Sequence, residues 1–291
     1  MHSAIKASLQ TDQGQVRSRN EDAIAHWEPT TPELAEQYGW LYVVADGVGG
    51  ADAGDVASRY AADKMVEHYT QSDPSIPIET RLREAVQAAN KDLRQLVKDK
   101  GDGTRMATTM VASVLHGNLL YIANVGDSRG YLWRKGGLRQ ITRDQSLVAK
   151  LVEEGAITPE EALRHPHRNV ILSSLGGEDR PQIEIFVEPV QSGDRVLLCS
   201  DGLTRYLGDE ELNGLMGEDA LDEITKTFVA EANERGGADN ISTIVIEVET
   251  TGKGGGRVDI TETTPNLRLY TTFLAVVEVV LIMTCWWQLR I

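Results

Sequence analysis

The sequence predicts an α+β fold in which sheets pack on one another under a cover of helices. Three observations predict it. Short apolar runs of strand character recur at 5–9, 40–45, 109–115, 119–124, 130–133, 182–187, 195–199 and 241–248. Short glycine-containing links join some of them: LHGNLL turns through Gly117-Asn118 and WRKGGLR through Gly136-Gly137. Such links are hairpin signals, so much of the sheet is expected to be antiparallel. Helical periodicity is confined to a few separate segments.

Taken in chain order, the N-terminus MHSAIKASLQ has no apolar core and is not a signal peptide. The run 40–45 ends on Asp46-Gly47. Val56, Tyr60, Met65 and Tyr69 then mark a helix. Ile78, Leu82, Val86, Ala89, Leu93 and Leu96 fall on one face of a second, 78–97, at three- and four-residue steps. Leu221, Ile224, Phe228 and Ala232 mark a third before the last strand. Residues 1–249 thus read as one domain. Residues 250–267, with three consecutive glycines and no apolar period, read as a flexible linker. The segment 268–288 reads as a transmembrane helix. Its core, LYTTFLAVVEVVLIMTCWW, would span about 28 Å as a helix. Aromatic residues stand at both ends, Tyr270 and Trp286-Trp287, and Arg268 and Arg290 flank it. Glu278, near the middle, would cost about 2.5–3.5 kcal/mol if ionised in lipid. A helix that packs on the domain or on a partner, in the latter case with Glu278 paired there, is the alternative.

The chain has 291 residues and a formal net charge of −15, with 44 acidic against 29 basic side chains. That balance argues against a nucleic-acid partner and is compatible with a carboxylate-rich metal site. Two widely spaced cysteines, Cys199 and Cys285, make neither a disulfide framework nor a zinc site and are expected to be packing residues.

Four aspartates stand next to turn-forming residues where apolar runs begin or end: Asp46 in YVVADGVGG, Asp127 in YIANVGDSRGYLW, Asp201 in RVLLCSDGLT and Asp239 in GGADNISTIVIEV. Each alone is also an ordinary turn or cap aspartate. A cluster of carboxylates repels itself unless it holds cations, and all-oxygen ligation selects Mg²⁺ or Mn²⁺. In VRSRNEDAI, Glu21 and Asp22 follow Arg17 and Arg19, and a guanidinium suits a phosphate oxygen pair. Other readings fail on spacing. An EF-hand from Asp46 would need oxygen ligands where Val48 and Gly50 stand, and Asp52 occupies the last glycine of a dinucleotide fingerprint. No P-loop and no Gly-x-Ser-x-Gly elbow occur, and Cys199 lies inside an apolar run.

Together the motifs VRSRNEDA, VADGVGGADAGDVAS, MATTMV, NVGDSRGYLW, ITRDQSLVAKLVEEGAITPEEALRHPHRNVI, LLCSDGLT and GGADNIST resemble, in order, the protein phosphatase 2C family of metal-dependent serine/threonine phosphatases, short bacterial type. The resemblance implies two antiparallel sheets packed as a sandwich between helices, with a flap at about 145–180. It implies hydrolysis of phosphoserine and phosphothreonine by a water bridging two Mn²⁺ or Mg²⁺ ions, without a phosphoenzyme. Asp46 should bridge the metals, the Gly47 carbonyl should bind one, and Asp201 and Asp239 should complete the set. Asp127 with Asp201 matches a third, weaker metal. Glu21 and Asp22 match the residues that hold metal-bound waters, Arg17 matches the phosphate-binding arginine, and Asn240 and Thr108 are supporting. Gly47 should also leave room for phosphate. Phosphoproteins and a Ser/Thr kinase system are the implied partners, and the domain is expected in the cytoplasm beside the inner membrane. Many relatives place a histidine, the proposed leaving-group acid, where this chain has Val48; His165 and His167 of the flap are the substitutes considered. A domain that binds without turnover usually lacks a metal aspartate, and Asp46, Asp201 and Asp239 are all present.

Overall fold

A computed structural model describes residues 3–48, 53–101, 106–218 and 220–250. Thr250, the first residue of the expected linker, is instead the last of the final strand, paired with Ser3; the rest of the linker, the expected transmembrane helix, Cys285, Gly49, Gly50 and Asp52 lie outside the described residues. Among the described residues no helix is long and apolar enough to cross a membrane.

Two antiparallel sheets face one another. One runs in the order β1 (Ser3–Asp12), β11 (Ile241–Thr250), β10 (Arg195–Cys199), β7 (Arg129–Arg134) and β8 (Gly137–Gln140). The other runs β2 (Asp22–Trp27), β3 (Trp40–Val48), β5 (Met110–His116), β6 (Leu119–Val125) and β9 (Glu184–Pro189), with β4 (Ala107–Thr108) paired to the end of β3. Tyr42, Val44, Val111 and Ile122 of the second sheet meet Val196, Leu198, Ile244 and Ile246 of the first in a buried layer.

Helices cover both outer faces. The helix α1 (Pro32–Tyr38) begins on a Thr31 cap that accepts from the Leu34 amide. Then α2 (Gly54–Thr70) and α3 (Ile78–Lys100) lie against Leu41, Val43 and Ala45 of β3. On the far side α6 (Asp201–Thr204), α7 (Asp209–Leu215) and α8 (Leu221–Glu234) cover Leu197, Cys199 and Val245. Because β3 and β10 are buried on both faces, they read as unbroken apolar runs rather than alternating ones. Burial also pushes the Cys199 thiol up to about 12, and the residue packs as expected. The helices α4 (Leu147–Glu153) and α5 (Pro159–Ala162) form the flap and bury no side chain of their own.

The structure moves some boundaries. The tight turn before β8 is Lys135-Gly136, both at positive φ, and Gly137 already pairs with Arg134. The ninth strand begins at Glu184, since the Gln182 amide donates to Ser173 and its carbonyl accepts from Gln145. Asp46 does not terminate β3: the ladder continues through Gly47 and Val48, because β4 supplies a partner.

Candidate active site

The sequence-selected carboxylates gather at one end of the sandwich, each brought by a different element. Asp22 opens β2 and stands directly opposite Asp46 in the β2–β3 ladder. Like charges facing each other across a ladder are unfavourable without compensation. The Asp46 backbone is fixed on both sides: its carbonyl accepts from Thr108 Oγ1 at 2.8 Å and from the Thr109 amide at 2.9 Å, and its amide donates to Thr109 Oγ1. Thr109 Oγ1 in turn lies 2.7 Å from Ser128 Oγ, next to Asp127.

Asp201 is the first residue of α6, and Asp239 stands just before β11. Gly202 makes their approach possible. A Cβ there would lie 1.9 Å from the Asn240 carbonyl oxygen, so only glycine lets the start of α6 pack on that backbone. Gly47 serves the same purpose at the other strand. Its missing Cβ would fall 2.3 Å from the Gly54 oxygen and 2.6 Å from the Glu21 oxygen. The space expected for phosphate is therefore taken by the protein's own backbone.

Asn240 ties the N-terminal loop to this end. Its Oδ1 accepts from the Glu21 amide, and its Nδ2 donates to the carbonyls of Gln13 and Arg19, each at 2.8 Å. The loop between carries Arg17, whose Nη2 donates to Asp239 at 2.8–2.9 Å and whose Nη1 lies 3.8 Å from Glu21. The Glu21 carboxylate also lies against Gly54 at the start of α2, where a negative charge complements the helix dipole. Asp22 Oδ2 accepts from Ser200 Oγ at 2.7 Å.

Crowding and burial raise the carboxyl pKa values together. Burial pushes Asp46 well up, and Asp22, Asp201, Asp127 and Asp239 add to it. Burial takes Asp22 up to about 7 against the hydrogen bond from Ser200, and takes Asp127 up to about 7 with help from Asp201. Burial also raises Asp201, with Arg205 opposing. Asp22 Oδ1 and Asp201 Oδ1 are buried with no hydrogen-bond partner. Clustered, desolvated oxygens without donors fit a hard divalent cation. As placed, no three Asp, Glu, His or Cys side chains among the described residues close around a single point. Arg17 holds Asp239, and Arg205 holds both Asp239 and Asp201.

A cleft of about 1050 Å³ opens from Asp127 and Asp201. Arg205 and Asp209 line one side, and Val152 and Leu163 of the flap line the other. His165 and His167 do not line it. Their rings pack on each other in the flap, 5.7 Å apart, so the histidines considered for the acid step are not brought to the site. Sequence reasoning also missed Ser200 and Arg205. The available signal for Arg205 was its place four residues after Asp201 on one helical face.

The profile of the family described as protein phosphatase 2C matches residues 11–245. The chain belongs to the protein phosphatase 2C family. Among curated members, the serine/threonine phosphatase stp of Listeria monocytogenes is 38% identical over 254 residues, 86% of this chain and 98% of that protein. The protein phosphatase PhpP of Streptococcus pneumoniae is 33% identical over 247 residues, 84% of this chain and 98% of that one. Among solved structures, the Mycobacterium tuberculosis phosphatase PstP/Ppp superposes with a TM-score of 0.75 at 35% identity, covering 84% of this chain and 99% of that one. A catalytic domain of PstP in complex with two manganese ions gives a TM-score of 0.73 at 33% identity, with 84% and 99% covered. The protein phosphatase 2C sandwich of this chain is the one expected from its motifs, and all the ladders between its described strands are antiparallel.

Proposed function

We infer that this chain is a metal-dependent protein phosphatase that hydrolyses phosphoserine and phosphothreonine in proteins. The observation that carries the reading is the cluster of buried Asp22 with half-buried Asp46, Asp127 and Asp201, all raised in pKa, with donorless oxygens on Asp22 and Asp201. We assign Asp46, Asp201, Asp239 and the Gly47 carbonyl as ligands of two Mn²⁺ or Mg²⁺ ions, and Asp127 with Asp201 as the site of a third. When bound, the ions supply a polarised water nucleophile and positive charge for the phosphoryl oxygens.

The chain's own residues do the rest. Arg17, with 45% of its side chain exposed, presents a guanidinium to the substrate phosphate and stabilises its oxygens as charge redistributes. Asp22, fixed through Oδ2 by Ser200, keeps Oδ1 free to accept a hydrogen bond from water. Glu21 holds Arg17 toward the site, and Asn240 holds the loop that carries both. Cys199 is buried and its thiol raised, which suits hydrolysis without a phosphoenzyme. Val48 cannot donate a proton, so protonation of the leaving oxygen falls to water.

Phosphopeptide hydrolysis tests the reading. Wild type should turn over with Mn²⁺ and stop in EDTA, and Asp201→Asn should lose at least about 100-fold. Equal rates in all three conditions would falsify it. We further place the catalytic domain at 1–250, a linker at 251–267 and a membrane anchor at 268–288, facing phosphoproteins of a Ser/Thr kinase system at the cytoplasmic face. The apolar run with aromatic and arginine flanks supports this. Release of the intact chain by alkaline carbonate would exclude the anchor.

A further inference from the structure

Arg205 follows α6, four residues after Asp201, and its guanidinium spans two chain segments. Nη2 donates to Asp201 Oδ2 at 2.9 Å, and Nη1 lies 3.2 Å from Asp239 Oδ2. A pair at this spacing on one helix would account for Asp201 alone. The reach to Asp239, which enters from the other side before β11, does not follow from helix stabilisation. The side chains are 22%, 26% and 14% exposed for Arg205, Asp201 and Asp239, so water and salt screen them less than a surface pair. Arg205 engages one oxygen of Asp201 while the other, Oδ1, is buried without a donor.

Resting on the assignment of Asp201 and Asp239 as metal ligands, we propose that Arg205 is a built-in counter-cation of the metal centre. It offsets part of the carboxylates' mutual repulsion and thereby lets Asp201 and Asp239 stand together. It also lowers the affinity with which they hold divalent ions, because its own charge repels those ions. The sign separates this role from simple orientation. A partner that only orients a ligand costs about 10–100-fold in metal affinity when removed. Removing a cation from beside the ligands acts the other way, since guanidinium–metal repulsion vanishes and the carboxylates become more negative.

The experiment is Mn²⁺ calorimetry on the full-length chain in mild detergent, with thermal unfolding in EDTA alongside. Arg205→Gln should bind Mn²⁺ about tenfold tighter, roughly the effect of 1.4 kcal/mol, and melt at a lower temperature in EDTA. Arg205→Lys keeps the charge and should stay within about threefold of wild type. Unchanged or weaker Mn²⁺ binding by Arg205→Gln overturns the proposal. So does equal tightening by Arg205→Lys, which would make the fork rather than the charge responsible. If Arg205→Gln does not fold in EDTA, Mn²⁺ release from the loaded protein into chelator is measured instead, and faster release than wild type overturns it. A wild type that binds no Mn²⁺ at millimolar metal would sink the ligand assignment itself, and this proposal with it.

Discussion

At the scale of single residues, the site depends on short backbone contacts as much as on carboxylates. Asn240 uses its whole amide to hold Gln13, Arg19 and Glu21, and so sets where Arg17 stands. Asn240→Ala should cost about 1–3 kcal/mol of stability, because a buried side chain's three bonds to the backbone are lost. It should also raise KM for a phosphopeptide more than it lowers kcat, since Arg17 is displaced and the aspartates are not. Steady-state kinetics checks this, and an unchanged KM would contradict it. The motif residues were legible because Asp-Gly at a strand end is a local pattern. Gly202 shows what was not legible: that glycine answers to the Asn240 carbonyl, a contact between distant segments. Arg205 was half legible: its four-residue spacing from Asp201 is a local signal, while its second partner, Asp239, is not. Gly47 was read as room for a ligand, and its missing Cβ instead admits the backbone of Gly54 and Glu21.

At the scale of elements, apolar runs buried on both faces could be read directly, and β3, β5, β10 and β11 stand close to where periodicity put them. The elements that escaped are short or polar. DAIAHW of β2 turns small alanines inward, GLRQ of β8 is a charged edge strand, and β4 has 2 residues. The flap is an element of another kind. Its base is fastened by the Leu147 amide to the Val170 carbonyl and the Leu172 amide to the Gln145 carbonyl. Above that base α4 and α5 bury nothing, and Leu163 is 71% exposed. With so little apolar burial it should open well below the global unfolding free energy. Amides of 149–169 should therefore exchange with deuterium much faster than those of α2 and β5. Comparable protection would contradict the weak packing of the flap.

At the scale of the whole molecule, one end of a rigid four-layer sandwich gathers negative charge in a chain whose net charge is already −15. That has a consequence for pH. Burial and repulsion raise Asp46 and Asp201, and take Asp22 and Asp127 up to about 7, whereas unfolded carboxyls titrate near about 4. Between about pH 4 and 7 the folded chain binds more protons than the unfolded one, so without metal its stability falls as pH rises through that window. Divalent ions bind the deprotonated forms and reverse the trend. The Tm in EDTA should drop from pH 5 to 8, and the rise in Tm given by Mn²⁺ should grow over the same range. A Tm in EDTA that climbs with pH would contradict the crowding. The central claim is that Asp46, Asp201 and Asp239 hold two catalytic ions, and calorimetric titration with Mn²⁺ at pH 7.5 reads it most directly. Wild type should take up at least two ions per chain, and Asp46→Asn should lose about 10-fold or more in Mn²⁺ affinity, because an assigned ligand carboxylate is lost. A variant that binds two Mn²⁺ ions as tightly as wild type would contradict the account.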